Sequence, residues 1–191
     1  YRDRDIAWEA FKAGLTDFRE DARAATWAIG YNFPAYEEGL VKRLTVPDVN
    51  PSMMQAFVFN LRKEKFQDPR VREALSLTFD FPWLNTNIFY NTYRRTNSYF
   101  QNSEMEAIGL PSEEELALLT PFREELIASH GSDRLFTQPL PIEQPTDLRE
   151  RLHKALELLR EAGYRVEDGT LVNQATGRPL SLEVLLYDSG I

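Results

Sequence analysis

Phe66-Gln67-Asp68-Pro69-Arg70-Val71-Arg72-Glu73-Ala74-Leu75 decides the fold, because within it a helix starts clearly. Asp68 can accept from the exposed first-turn N–H groups. Pro69 lacks an N–H at a position where none is needed. The pattern predicts an inward stripe of Val71, Leu75 and Thr78 or Phe79. Just upstream, the run from Met53 to Leu61 contains Phe57-Val58-Phe59. It is short and flanked by breakers, so it reads as a buried strand. Pro47-Asp48-Val49-Asn50-Pro51 separates it from Leu40 to Val46, a β-branched and apolar stretch that also reads as a strand. A lobe boundary is placed at these breakers. Downstream, Asp80 and Pro82 start a further helix through Trp83, Leu84, Ile88 and Phe89.

Farther out, Asp5 to Ala13 reads as a helix with Ile6, Ala10 and Ala13 on one side and Phe11 near them, stopped by Gly14. Leu15 to Arg19 suits a short strand or an extended link. Ala22 to Ile29 reads as a second helix, with Asp21 as cap and Gly30 as its end. Toward the C-terminus, Ser112-Glu113-Glu114-Glu115 is a capping-box pattern ahead of Leu116, Leu118 and Leu119. Thr120-Pro121 restarts the chain in a helix to Ala128, and Gly131 to Pro145 is a proline-rich linker. Leu148, Leu152, Ala155 or Leu156, Leu159 and Ala162 mark the most amphipathic helix, and Gly163 ends it. Gly169-Thr170-Leu171-Val172 and Gly177-Arg178-Pro179 bracket a hairpin, and Leu182 to Tyr187 alternates as a strand. Helices and strands interleave without a repeat, so the class is α/β or mixed α+β. Both ends of the chain read as cuts through a longer sequence.

Composition narrows the chemistry. The 191 residues carry 30 acidic against 22 basic side chains, a net charge of -8. Such a surface repels phosphate backbones, so nucleic acid is not expected as a partner. Cysteine is absent, which removes thiolate catalysis, disulfides and cysteine-ligated metal. With only His130 and His153 as histidines, no histidine-rich metal site is expected, and no cofactor either. No Walker loop, dinucleotide fingerprint, HExxH, GxSxG or EF-hand pattern occurs. Glu113, Glu114 and Glu115 sit where a helix N-terminus favours negative charge, and His130 where a helix C-terminus favours positive charge. His153 falls on a polar helix face. No run approaches the roughly 18 apolar residues of a membrane-spanning helix, and no signal-peptide pattern is visible.

Two stretches escape plain helix and strand grammar. Phe89-Tyr90-Asn91-Thr92-Tyr93-Arg94-Arg95-Thr96-Asn97-Ser98-Tyr99-Phe100-Gln101-Asn102 is dense in tyrosines, asparagines and hydroxyls around adjacent arginines. Such residues recognise amides and carboxylates: arginine offers a two-pronged fork and tyrosine a flat face with a hydroxyl. An ordinary polar connection is the alternative reading. Phe18-Arg19-Glu20 lies between a short extended run and a helix, where α/β crevices bind ligands; a plain connection is again the alternative. Arg94, Arg95, Tyr99, Asn102, Phe18, Arg19, Glu20 and Phe59 are therefore the candidate ligand-binding residues, and none is assigned a catalytic role.

Three segments resemble one family in the right order. Ile6 to Phe18 resembles its segment of helix, glycine, then Asp-Phe. Phe57-Val58-Phe59-Asn60 followed by Phe66 to Leu75 resembles its strand ending in Asn and its Asp-x-Arg-Val-Arg-x-Ala helix. Leu156-Glu157-Leu158-Leu159-Arg160-Glu161-Ala162-Gly163-Tyr164 resembles its helix ending in Ala-Gly-Tyr. The family is the extracellular solute-binding proteins, family 5, the dipeptide and oligopeptide receptors of ATP-binding cassette importers. Trp27 to Pro34, Ser98 to Glu104 and Gly109-Leu110-Pro111-Ser112 resemble its YejA-like subgroup. The resemblance implies a fragment of a two-lobed periplasmic binding protein, type II-like, with mixed sheets flanked by helices. Residues 1–50 would end the first lobe and residues 51–191 begin the second. It also implies a peptide or peptide-like ligand held in an interlobe cleft, a membrane permease as partner, a periplasmic location and no chemistry. Two other classes remain open: a peptide or amide hydrolase whose catalytic residues lie outside this stretch, and a structural or interaction domain.

Overall fold

The computed structural model describes residues 1–47, 50–141 and 145–186. Its α-helices are α1 (Arg4–Lys12), α2 (Pro34–Glu37), α3 (Pro69–Thr78), α4 (Phe81–Asn87), α5 (Glu113–Leu119), α6 (Arg123–His130), α7 (Arg134–Thr137) and α8 (Leu148–Glu161). Strands β1 (Tyr164–Glu167) and β2 (Thr170–Asn173) pair antiparallel. The class is mixed α+β, with helices flanking a small sheet. The chain groups into two compact units: Tyr1–Ser52 with Phe81–Asn97, and Met53–Asp80 with Ser98–Ile191.

The second unit is organised by α3 and α8. Asp68 caps α3: its carboxylate accepts from the Arg70 backbone N–H at 2.8 Å and from Arg70 Nη2 at 2.7 Å. The same guanidinium donates through Nη1 to the Glu161 carbonyl at 2.8 Å, at the far end of α8. Arg72 turns back to the Phe66 and Gln67 carbonyls, at 2.7 and 2.8 Å. The arginines of this helix start thus tie down backbone acceptors. Asp68→Ala is expected to cost roughly 0.5–2 kcal/mol, read as a lower urea midpoint at unchanged slope. The Arg70 side-chain hydrogen bond holds the Asp68 carboxyl below its ordinary value. A depressed native value means that this stability is present above the unfolded carboxyl pKa of about 3.9. It is lost as pH falls through the native value. The Asp68→Ala protein should therefore match the unsubstituted one only under acid.

The buried face of α3 differs from the expected one. Val71, Ala74 and Leu77 are buried, while Thr78 and Phe79 are exposed and Leu75 is half-buried. On α8, capped by Asp147 through the Glu150 N–H at 2.9 Å, the buried residues are Arg151, Ala155 and Leu159. Leu152, expected inside, is 40% exposed. Ala74, Ala155, Val71, Leu77, Leu159 and Tyr164 form one core cluster, with Leu75, Leu158, Ala162, Leu171 and Leu180 packed around it. The arginine at 151 takes an inward position because Asp80 Oδ1 meets its Nη2 at 2.7 Å.

Local signals elsewhere hold well. Ser112 and Glu115 complete a reciprocal capping box on α5. The expected helix from Thr120 to Ala128 is one 3₁₀ turn, Thr120–Phe122, followed by α6. His130 lies in the last turn of α6, its Nδ1 at 2.9 Å from the Leu126 carbonyl, and His153 is exposed beside Glu157. The hairpin turns at Asp168 and Gly169, both with positive φ (49° and 76°), the backbone of a tight primed turn. An isolated bridge from Val172 to Pro179 continues the arrangement past Gly177. The linker after Gly131 contains the short α7; its residues 142–144 lie outside those described.

The expected strands are the main departure. Among the described residues, 15–19, 40–46, 53–61 and 182–186 form no ladder. Leu44, Met53, Val58 and Leu185 are 79%, 95%, 87% and 96% exposed. A period-two or β-branched pattern makes a segment competent to pair, but the strand forms only against a neighbour that satisfies its backbone groups. Asp48 and Val49 of the expected breaker, and Tyr187 of the last expected strand, lie outside the described residues.

In the first unit, Asp3 caps α1 by accepting from the Asp5 and Ile6 N–H groups at 2.9 Å. Ala10 is buried, whereas Ile6, expected beside it, is 58% exposed. The helix expected at 22–29 begins at Ala24 and widens into a π-type turn over Thr26–Gly30. Asp21 accepts from the Arg23 N–H at 3.3 Å, so its capping role is partial. At Gly30 a Cβ would come within 3.3 Å of the Trp8 ring, and glycine there lets the wide turn close on α1. No described helix is long and apolar enough to cross a membrane.

Candidate functional site

The first unit is built around rings. Trp8 of α1 meets Tyr31 at 5.2 Å and Phe33 at 5.7 Å, edge on. Tyr31 meets Trp27 at 5.9 Å and Tyr36 at 5.4 Å, also edge on. The π-type turn supplies Trp27, and α2, opened by Pro34, supplies Tyr36. Such edge-to-face pairs place the positive ring edge on the negative face of the neighbour.

Two arginines lie on this assembly. Arg19 stacks over Trp8 at 5.1 Å and faces Asp21 at 3.8 Å. Asp21 in turn lies 3.4 Å from the Tyr31 hydroxyl, which donates to it. Burial first, and then the charge of Asp21, push the Tyr31 phenol above its ordinary value. Arg43 lies over Trp27 at 4.9 Å, Tyr31 at 5.1 Å and Tyr36 at 5.4 Å. It also donates through Nη1 to the Trp27 carbonyl. Beside it runs a shallow open groove of about 620 Å³ lined by Tyr31, Asn32, Tyr36, Glu37, Val41, Lys42 and Arg43.

The tyrosine- and asparagine-rich stretch is divided between the units. Tyr93, Arg94 and Arg95 belong to the first, and Tyr99 and Asn102 to the second. Asn85 holds the Tyr93 backbone at both ends, donating to its carbonyl at 2.8 Å and accepting its N–H at 3.1 Å. The Tyr93 hydroxyl donates to the Ala22 carbonyl at 3.3 Å. These bonds fix the backbone that presents the exposed Arg94 and half-buried Arg95. In the second unit Tyr99 is 79% exposed. Asn102, with φ at 64°, gives its N–H to Glu106 at 2.8 Å.

Of the remaining candidates, Phe18 is 84% exposed, Glu20 is exposed, and Arg19 is packed as described. Phe59 is half-buried against Phe66, with ring centroids 5.2 Å apart. The structure brings Arg19 into the aromatic assembly and gathers Arg94 and Arg95 on one fixed segment. The ring group around Arg43 is not among the residues singled out from sequence. Its signal is the one-turn spacing of Trp27 and Tyr31, with Tyr36 and two basic residues close behind.

The family model "Bacterial extracellular solute-binding proteins, family 5 Middle" matches residues 1–190. The chain is 39% identical, over 100% of its length, to the "Probable peptide-binding protein YejA" of Agrobacterium fabrum (strain C58 / ATCC 33970), of which the match covers 31%. It is 39% identical, over 97% of its length, to the "Uncharacterized protein YejA" of Escherichia coli (strain K12), covering 30% of that protein. It is 38% identical, over 93% of its length, to the "Peptidoglycan-binding protein YepA" of Agrobacterium fabrum, again covering 30%. The chain thus spans about three tenths of the length of these curated relatives.

Proposed function

This chain belongs to the bacterial extracellular solute-binding proteins of family 5, and on that premise we propose that it forms part of a YejA-like receptor for peptides or peptide-like solutes. The receptor holds its ligand in a cleft between two lobes, performs no chemistry on it, and delivers it in the periplasm to the membrane permease of an ATP-binding cassette importer. Residues 1–50 contribute to the first lobe and most of residues 51–191 to the second, with Phe81–Asn97, which group with Tyr1–Ser52, contributing to the first. The observation that carries this reading is the family match over residues 1–190, supported by the name of the first Agrobacterium relative. Among the candidate residues, Arg94 and Arg95 supply the charge that a peptide carboxylate requires. The apolar run at 53–61 is a strand-competent edge that pairs within the complete receptor.

A second reading of the ligand, a peptidoglycan fragment, is favoured by the likeness to the peptidoglycan-binding relative. Both ligands present amides and carboxylates, so the same side chains serve either. Isothermal titration of the intact protein with di- to hexapeptides and with peptidoglycan fragments separates them. Micromolar or tighter peptide binding without turnover is the expected result. Preference for the fragments favours the second reading, and hydrolysis of any peptide overturns the receptor in favour of an amide hydrolase. Arg94→Ala or Arg95→Ala is expected to weaken peptide binding about tenfold, a loss of about 1.4 kcal/mol. If neither variant changes affinity while both remain folded, this segment is a connection and the ligand is held elsewhere.

A further inference from the structure

Arg43 is an exposed residue on a segment without ladder partners, yet its guanidinium is held by three aromatic rings and a backbone carbonyl. Trp27 comes from the π-type turn, Tyr31 from the residue that caps it and Tyr36 from α2. Tyr31 also packs edge-on against both Trp27 and Tyr36, so the rings contact one another as well as Arg43. A cation within about 6 Å of a ring centroid is attracted by the ring quadrupole. Three such faces around one point make a cage for a cation. The Trp27 carbonyl adds an acceptor for an N–H in the plane of a guanidinium, which a compact ammonium group matches less well. Glu37, on the groove beside the rings, adds negative charge, and Lys42 on the same groove opposes a second cation.

We propose that Trp27, Tyr31 and Tyr36 form a binding site for the guanidinium group of an arginine-bearing ligand, and that Arg43 of the same chain occupies it in this structure. Arg43 acts as a tethered competitor. A ligand guanidinium displaces it, takes the same faces and the same carbonyl, and extends along the open groove over Asn32 and Val41. The inference uses residues of one unit alone and does not rest on the peptide-receptor reading. Arg43 therefore competes with a ligand for the same faces. A site open about one tenth of the time binds about tenfold more weakly than the open cage.

The test is titration of the intact protein with argininamide, and with the neutral isostere citrullinamide, by calorimetry. Arg43→Ala is expected to bind argininamide at least about tenfold more tightly than the unsubstituted protein. Adding Tyr36→Ala should remove that gain, and citrullinamide should not bind measurably. Arg43→Gln, which keeps the aliphatic stem without the charge, stands in if Arg43→Ala lowers the unfolding midpoint. The proposal is overturned if the folded Arg43 variant shows no gain, if the gain survives Tyr36→Ala, or if citrullinamide binds equally well. Neutral peptides titrated into the same proteins report on the receptor reading separately, so each idea fails on its own readout.

Discussion

Leu77→Ala is expected to destabilise this protein by about 2–5 kcal/mol, because it removes a fully enclosed side chain from the centre of its core. Leu77 is 1% exposed and lies in one cluster with Val71, Ala74, Ala155 and Leu159. The loss combines the transfer free energy of the deleted carbons with a cavity that α3 and α8 cannot close. Alanine already stands at 74 and 155, so no bulky neighbour in those positions can swing into the gap. Urea unfolding followed by far-UV circular dichroism is the measurement, with a lower midpoint at unchanged slope as the result. Leu152→Ala is the control. At 40% exposure it should cost clearly less, although the helix periodicity alone ranks it as a core position. Equal costs at the two sites would mean that α8 presents a different face to α3.

Asp80→Asn is the second large effect. Arg151 has a side chain 3% exposed, against 24% for its partner Asp80, and their charged atoms are 2.7 Å apart. Its Nε is enclosed without a hydrogen-bond partner, so the Asp80 carboxylate is the principal compensation for a buried cation. Removing one partner of a buried pair costs about 3–5 kcal/mol, because the other charge stays desolvated and uncompensated. The effect is asymmetric. Arg151→Met leaves behind a carboxylate that water still reaches, and the methionine fills much of the same space, so its cost should be smaller than that of Asp80→Asn. The double variant should be more stable than Asp80→Asn alone, since the buried charge is then gone. A double-mutant cycle in urea measures this coupling. Additive costs, or a larger loss from Arg151→Met, would show that the pair does not hold the arginine inside.

The candidate site was legible only in part. Arg94 and Arg95 stand out in sequence because adjacent cations amid tyrosines and asparagines match no helix or strand pattern. The role of Asn85 in clamping Tyr93 is invisible there, since it depends on a side chain meeting a backbone eight residues later. Arg19 was legible as a charged residue at a junction, but its stacking on Trp8 was not. The cage around Arg43 was missed because its members are spread over residues 27–43 and converge only when the π-type turn and α2 pack together.

By itself the sequence determined the starts of α3 and α5 and the end of α8. Asp68-Pro69, Ser112 with Glu115, and Gly163 act through hydrogen bonds and backbone angles confined to a few neighbouring residues. Those local bonds are available before any tertiary contact forms, so the residue types are enough to read them. Only the tertiary structure decided which face each helix buries. The inward stripe of α3 is rotated by roughly 70–100° from the expected one, at about 100° per residue, and α8 buries Arg151 where the periodic pattern expects Leu152. A periodic pattern states the spacing of an apolar face but not its angle to a neighbour. A hydrophobicity ranking likewise cannot see that Asp80 waits for Arg151, 71 positions along the chain. The runs at 40–46 and 53–61 carry strand composition without strand pairing for the same reason: a ladder belongs to two segments, and one segment's sequence specifies only its half.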